Sequence, residues 1–338
     1  MSQTLHRNTR IGLNGFGRIG RSILRILSAA PSDFEVAFIN DIEPLDTCAY
    51  LFKYDSVFGP FPGQVEAVEN GLSINGTVIP FHGLSDISTM DLSDVDVVLE
   101  CTGMAGKRAV AERGLQAGAR NVLISGPSSE ADVTVVLGAN EDKLAGQTIV
   151  SNASCTTNAL APLLKVLDDT LGVIGGHMTT VHCYTGSQPT VDKPRANAAR
   201  SRAAALSMVP TTTSARALVG EVLPHLAGRI EARAIRVPTA SVSAIDLTVR
   251  TAREVSEDEA RAVLKAAATG HVLGWTDEPL VSSDLRMRSE SLVLSGPETS
   301  VSEGGLLRVF GWYDNEWGFS HRMLDVARMM AADARQGA

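Results

Sequence analysis

Two kinds of hydrophobic patterning divide this chain near residue 151. Before that point, short apolar runs at 10–14, 35–40, 95–101, 121–125, 133–137 and 148–151 lie between Gly, Pro or polar residues and do not alternate. Unbroken apolarity over so few residues predicts parallel strands covered on both faces. Helical spacing at 18–27, between the first two runs, predicts strand–helix alternation and hence an α/β unit. Residues 64–81 read as a small hairpin excursion, because Asn70-Gly71 and Asn75-Gly76 are turn signals.

Beyond residue 151 the runs lengthen and partly alternate, at 177–184, 233–237, 241–250, 289–294 and 306–313. Helical spacing returns at 213–224 and 256–268, so an α+β unit with a mostly antiparallel sheet is expected. At the junction, strand-like residues 148–150 lead into a helix that opens at Cys155. Leu160, Leu163, Leu164, Leu167 and Leu171 recur along it, and Gly172 stops it. A last helix, 317–332, carries Phe319, Met323, Val326 and Met330 on one face.

A length of 338 residues accommodates two such units, and a 44% hydrophobic fraction supplies ample core. The net charge of −8, with no basic stripe, argues against a protein that grips nucleic acid by its phosphates. Arg195, Arg200 and Arg202 form the one local cluster of cations, readable as a solvated loop, as an anion site or as a subunit contact. No apolar run approaches membrane-spanning length. Residues 1–10 are polar and lack the apolar middle of a signal peptide, so a frayed tail is expected there. Cys48, Cys101, Cys155 and Cys183 show no metal-ligand spacing; free thiols in a reducing cytoplasm, with no metal, are the expectation.

Candidate chemistry begins at Gly15-Phe16-Gly17-Arg18-Ile19-Gly20, which follows the first strand and opens the first helix. In that context the first glycine permits a tight turn, the second lets a pyrophosphate approach the backbone, and the third lets helix and strand pack closely. The phosphates would lie on the helix N-terminus. Asp41 ends the second strand, where a carboxylate accepts from ribose hydroxyls and repels a 2′-phosphate, favouring NAD over NADP. The first unit is therefore expected to be a Rossmann-type parallel-sheet domain. The second chemical feature is Cys155 itself. A thiol at a helix N-terminus sits among unpaired N–H groups at the positive end of the dipole, which favours the nucleophilic thiolate.

Several runs together resemble the glyceraldehyde-3-phosphate dehydrogenase family over nearly the whole chain. They are Asn14-Gly-Phe-Gly-Arg-Ile-Gly20, Lys53-Tyr-Asp-Ser56, Ser151-Asn-Ala-Ser-Cys-Thr-Thr-Asn158, Thr180-Val-His182, Arg236-Val-Pro-Thr239 and Trp312-Tyr-Asp-Asn-Glu-Trp-Gly318. The resemblance implies an NAD-binding domain over 1–153, a catalytic domain over 154–316 and a C-terminal helix, 317–338, packing back on the NAD-binding domain. It implies that Cys155 attacks an aldehyde to give a thiohemiacetal. His182 would polarise the carbonyl and accept the hydroxyl proton as hydride leaves, and an imidazolium beside the sulfur would lower the thiol pKa further. Inorganic phosphate would then cleave the thioester to an acyl phosphate.

The same resemblance assigns Thr185, Ser187 and Arg236 to the substrate phosphate and Ser154, Thr156, Thr213 and Ser214 to the attacking phosphate. It adds Thr102 and Ser125 to the cofactor pocket and gives Asn315 the nicotinamide carboxamide. A homotetramer is implied as well. The chain departs from the family pattern in places: Ala159 replaces a usual second cysteine, Ser214 a common glycine, and the loop 188–205 is one residue short. Erythrose-4-phosphate dehydrogenases share most of these motifs and use water as acyl acceptor. A dinucleotide-binding protein without catalysis is the reading from another class.

Overall fold

The computed structural model describes residues 7–336, so the first six residues of the expected N-terminal tail lie outside the described residues. The chain divides into two compact units. The first comprises residues up to Val135, Asp142–Asn152 and the segment from Met323 onward; the second comprises Val136–Glu141 and Ala153–Arg322.

The first unit runs β1 (Thr9–Asn14), α1 (Arg18–Ala29), β2 (Phe34–Asn40), α2 (Leu45–Lys53), β3 (Val65–Val68), β4 (Gly71–Ile74), β5 (Thr77–His82), β6 (Val97–Glu100), α3 (Arg108–Ala111), α4 (Arg113–Gln116), β7 (Asn121–Ile124), β8 (Val133–Thr134) and β9 (Ile149–Ser151). Its nine-stranded sheet has the order β3-β4-β5-β2-β1-β6-β7-β9-β8. Every pair from β5 through β8 is parallel. Val97, Leu99, Leu123, Ile149 and Val150 are wholly buried, which is why these strands read as unbroken apolar runs. The excursion at 64–81 is an antiparallel three-stranded meander, β3-β4-β5. Asn75 and Gly76 both take positive φ, 51° and 85°, as a two-residue hairpin turn requires. The order β2-β1-β6 places the reversal of strand order beside β1, and ligands of such sheets bind at the carboxyl ends of the strands there.

The second unit runs α5 (Cys155–Leu171), β10 (Val173–Cys183), β11 (Val209–Thr211), α6 (Ala215–Val222), β12 (Ile230–Val237), β13 (Ser243–Thr251), α7 (Glu257–Ala267), β14 (Leu273–Thr276), β15 (Leu292–Ser295), β16 (Ser300–Val301) and β17 (Leu306–Tyr313). α8 (Trp317–Gln336) follows, and the division between the units falls within it, after Arg322. The sheet order is β11-β12-β10-β13-β17-β15-β14, with β16 on β17. Only β10–β12 and β14–β15 are parallel. α5 buries Leu160, Leu163, Leu164 and Leu167 completely, in one core with Met178, Ile245, Leu247, Leu307 and Val309 of the sheet. These contacts hold the first turn of α5 in place relative to the ends of β10, β13 and β17. Gly172, at φ 68°, closes the helix.

Candidate active site

In the first unit the glycine turn is built as steric necessity dictates. Gly15 has φ +97°, and a Cβ on it would lie 2.6 Å from the Cys101 carbonyl carbon and 2.7 Å from the Thr102 nitrogen. A Cβ on Gly20 would meet the Gly15 oxygen at 2.3 Å. Gly17 is different: a Cβ there would meet nothing within 4 Å, leaving open space in front of the α1 N-terminus. That clearance is what a pyrophosphate on the helix N-terminus needs, so the residues present fit a dinucleotide. The Asp41 carboxylate accepts from the Phe16 N–H at 2.6 Å and the Glu43 N–H at 3.0 Å, which fixes it beside the turn. Arg18 turns to pair with Asp55, and Ile19 occupies the first turn of α1.

Thr102 is held by a residue that sequence reading missed, Glu100. This carboxylate is 2% exposed at the end of β6; it accepts from the Thr102 N–H and hydroxyl, and from Asn14 Nδ2 at 2.5 Å. Burial pushes its pKa up while those bonds pull it down. The only signal was an acid closing an apolar run. Ser125 follows β7, its N–H donating to the Glu100 carbonyl.

In the second unit Cys155 is the first residue of α5. Ser154 caps that helix, its hydroxyl accepting from the Thr157 N–H at 3.1 Å. The sulfur lies 3.9 Å from His182 Nε2, near the end of β10. Asn315, just beyond β17, donates Nδ2–H toward that sulfur at 3.7 Å and lies 3.2 Å from His182 Nε2. On the other side of the ring, His182 Nδ1 is 2.7 Å from the Cys183 carbonyl and 2.8 Å from Arg236 Nη1, which itself donates to that carbonyl at 3.0 Å. The carbonyl at Nδ1 and the Asn315 N–H at Nε2 both suit a proton on Nδ1, whereas the Arg236 N–H suits a lone pair there; with the proton on Nδ1, Nε2 is the acceptor beside the thiol.

The electrostatics correct one expectation. Burial pushes the Cys155 thiol up, although Asn315, Arg236 and Thr156 pull it the other way. Burial also pushes His182 down to about 4, and the nearby Arg236 charge pushes in the same direction. Burial thus opposes charge on both groups, against the thiolate and imidazolium expected from the helix N-terminus. Desolvation disfavours both ions. The imidazole is left as a free base within reach of the thiol proton.

The hydroxyls assigned to anions divide into two groups. Thr185 and Ser187 come together, Oγ to Oγ at 2.9 Å, in a partly exposed loop. Thr156, by contrast, is 3% exposed and its hydroxyl meets Tyr313 OH at 2.9 Å; Thr180 meets the same phenol at 2.7 Å. Thr213 Oγ1 accepts from the Ala215 N–H at 3.2 Å, and Ser214 is the N-cap of α6 without a side-chain cap bond. Ser154 shares its hydroxyl with Thr157 at 2.7 Å. Tyr313 and Ser243 are further members of the site that sequence reading left without a role. Tyr313 stands edge-on to His182 with centroids 6.0 Å apart, and Ser243 donates to Asn315 Oδ1 at 2.8 Å. Among the described residues, no group of His, Cys, Asp or Glu is placed to hold a metal ion. No helix among them is long and apolar enough to cross a membrane.

A glycine turn fitted to a dinucleotide, on a domain that matches an NAD-binding model, defines the class, an NAD-dependent dehydrogenase. Residues 9–108 match the family model for the NAD binding domain of glyceraldehyde 3-phosphate dehydrogenase, and residues 154–315 the model for its C-terminal domain. The chain is 46% identical to glyceraldehyde-3-phosphate dehydrogenase of Xanthobacter flavus over 330 residues, covering 96% of this chain and 98% of that protein. It is 45% identical to the Cereibacter sphaeroides enzyme over 326 residues (95% and 98%) and 43% identical to the Geobacillus stearothermophilus enzyme over 330 (96% and 98%). The chain belongs to the glyceraldehyde-3-phosphate dehydrogenase family.

Proposed function

We propose that the protein oxidises D-glyceraldehyde 3-phosphate with NAD and inorganic phosphate, giving 1,3-bisphosphoglycerate and NADH. The observation that carries this reading is Cys155 Sγ at 3.9 Å from a neutral His182 Nε2, with an Asn315 N–H aimed at both. As the sulfur adds to the aldehyde carbon, its proton passes to Nε2 and on to the new alkoxide, leaving a thiohemiacetal. His182 then takes the hydroxyl proton back as hydride departs, and a thioester remains on Cys155. NAD, when bound, supplies the hydride acceptor. Phosphate attack on the thioester carbon releases the acyl phosphate and returns the thiol.

In this reading Gly15, Phe16, Gly17, Arg18, Ile19, Gly20, Asp41, Thr102 and Ser125 hold the dinucleotide, and Asn315 fixes its carboxamide. Arg236, Thr185 and Ser187 hold the substrate phosphate. An anion on Arg236 offsets the positive charge that opposes an imidazolium, so substrate arrival eases proton transfer from Cys155 to His182. Ser154, Thr156, Thr213 and Ser214 serve the attacking phosphate. The working divisions are 1–153, 154–316 and 317–338, in a cytoplasmic homotetramer.

A second reading, erythrose 4-phosphate oxidation with water as acceptor, is favoured by one observation. The Thr156 and Thr213 hydroxyls are already engaged, by Tyr313 and by the Ala215 N–H. Initial rates of NADH formation with each aldehyde, with and without phosphate, decide between them. Turnover of glyceraldehyde 3-phosphate that requires phosphate supports the first; turnover of erythrose 4-phosphate without phosphate supports the second.

A further inference from the structure

The two ends of the Asn315 carboxamide face different partners, and the hydrogen bonds around it favour one orientation. The Cys183 backbone N–H can only donate, and it donates to Ser243 Oγ at 3.0 Å. The Ser243 hydroxyl in turn donates its own proton to Asn315 Oδ1 at 2.8 Å. The Cys183 thiol, a weaker donor, points to the same oxygen at 3.2 Å. Two donors on Oδ1 require it to be the acceptor end, so Nδ2 is the end presented to Cys155 Sγ and His182 Nε2. The reversed amide would take its N–H away from the sulfur and leave the Ser243 proton without this acceptor, in a residue with no exposed surface.

We infer that Ser243 is a positioning residue for the nucleophile: it locks the Asn315 amide so that an N–H, and not a carbonyl oxygen, faces Cys155. The effect is transmitted from a fixed backbone donor through two side chains to the sulfur. This deepens the reading of Cys155 as nucleophile and rests on it for its functional meaning. The placement follows from β-sheet register. Ser243 pairs with Tyr313 across β13 and β17, two residues before Asn315, while β10 on the other side of β13 brings Cys183. An N–H directed at sulfur stabilises the thiolate, and Asn315 is the first of the groups that hold the Cys155 pKa down against burial. The other titratable or charged groups acting around this sulfur are His182 and Cys183 from β10, Arg236 from β12 and Tyr313 from β17.

The test follows iodoacetamide alkylation of the Cys155 peptide by mass spectrometry across pH, in full-length protein without substrate or cofactor. It is therefore scored whether or not Cys155 turns out to be the residue that is acylated in turnover. Ser243→Ala is expected to raise the alkylation midpoint by about one pH unit, roughly tenfold slower labelling at a fixed pH below both midpoints. In an Asn315→Ala background the same substitution is expected to add nothing, because the amide through which Ser243 acts is gone. An unshifted midpoint in Ser243→Ala overturns the proposal, and so does a shift that persists without Asn315, which would mean that Ser243 acts by packing. Should the alanine variant fail to fold, Ser243→Cys keeps the size with a weaker donor. A smaller rise is expected there, and no rise overturns the proposal.

Discussion

Replacing Arg236 by glutamine tests whether a cation keeps His182 neutral. Arg236 Nη1 lies 2.8 Å from His182 Nδ1, and its charge is the second cause, after burial, of a histidine pKa near 4 against an ordinary 6.5. A guanidinium and an imidazolium about 4 Å apart repel by roughly 4 kcal/mol at an effective dielectric constant near 20. Arg236 is half-buried, so solvent screens part of this, leaving about 2 kcal/mol or roughly 1.5 pH units. Burial remains in the variant, so His182 should titrate between about 5 and 6 and not regain its unperturbed value. The sign for stability follows. A histidine whose pKa is lowered on folding contributes stability that is complete above 6.5 and is lost as pH falls toward 4, by about 1.4 kcal/mol per pH unit inside that window. Arg236→Gln narrows the window, so the variant loses less on acidification than the wild type. NMR titration of the His182 ring in cofactor-free protein reads the pKa directly, and melts at pH 7 and pH 5 read the linkage. An unchanged His182 pKa in the variant would refute the electrostatic argument.

Further expectations concern the nucleophile and the nucleotide turn. Cys155→Ser should abolish hydride transfer, and His182→Asn should slow it by roughly 10²–10⁴-fold in stopped-flow NADH formation; more than trace activity in the serine variant would remove Cys155 from its role. Gly17→Ala should melt within about 1 kcal/mol of wild type, since its methyl meets open space, yet bind NAD at least tenfold more weakly by calorimetry. Gly20→Ala should lose about 3 kcal/mol, because its Cβ lands 2.3 Å from the Gly15 oxygen; equal stability of the two would contradict the steric reading. Asp41→Ala should raise the use of NADP relative to NAD, measured as the ratio of kcat/KM values, and an unaltered ratio would mean that another group sets the preference.

What could be read along the chain was whatever is decided locally. The glycine turn, the cap and the leucine face of α5, and the apolar runs of the parallel strands all depend on residues within a few positions of one another. A strand buried on both faces has no polar side to show, so its composition announces it. Signals failed where an element exists because of a distant partner. β11 and β14 are short strands whose ladders lie on β12 and β15, and β10 begins at Val173, where Gly175 and Gly176 carry no apolar signature. α2 was passed over because only Cys48, Ala49 and Phe52 of its nine residues are buried.

The ionisation of the site was beyond sequence reading for the same reason. A helix N-terminus argued for thiolate, but charge state is set by how much water remains and by which charges the fold gathers. Arg236 reaches His182 from 54 residues away, and Asn315 reaches the pair from 133 and 160. The sequence alone named the groups proposed to do chemistry here and the elements on which several of them stand, among them the glycine turn before α1 and Cys155 at the start of α5. Tertiary structure decided how strongly burial opposes charge on thiol and imidazole and which end of an amide faces the sulfur. Burial and hydrogen-bond direction belong to the packed assembly of β10, β12, β13 and β17, not to any one segment.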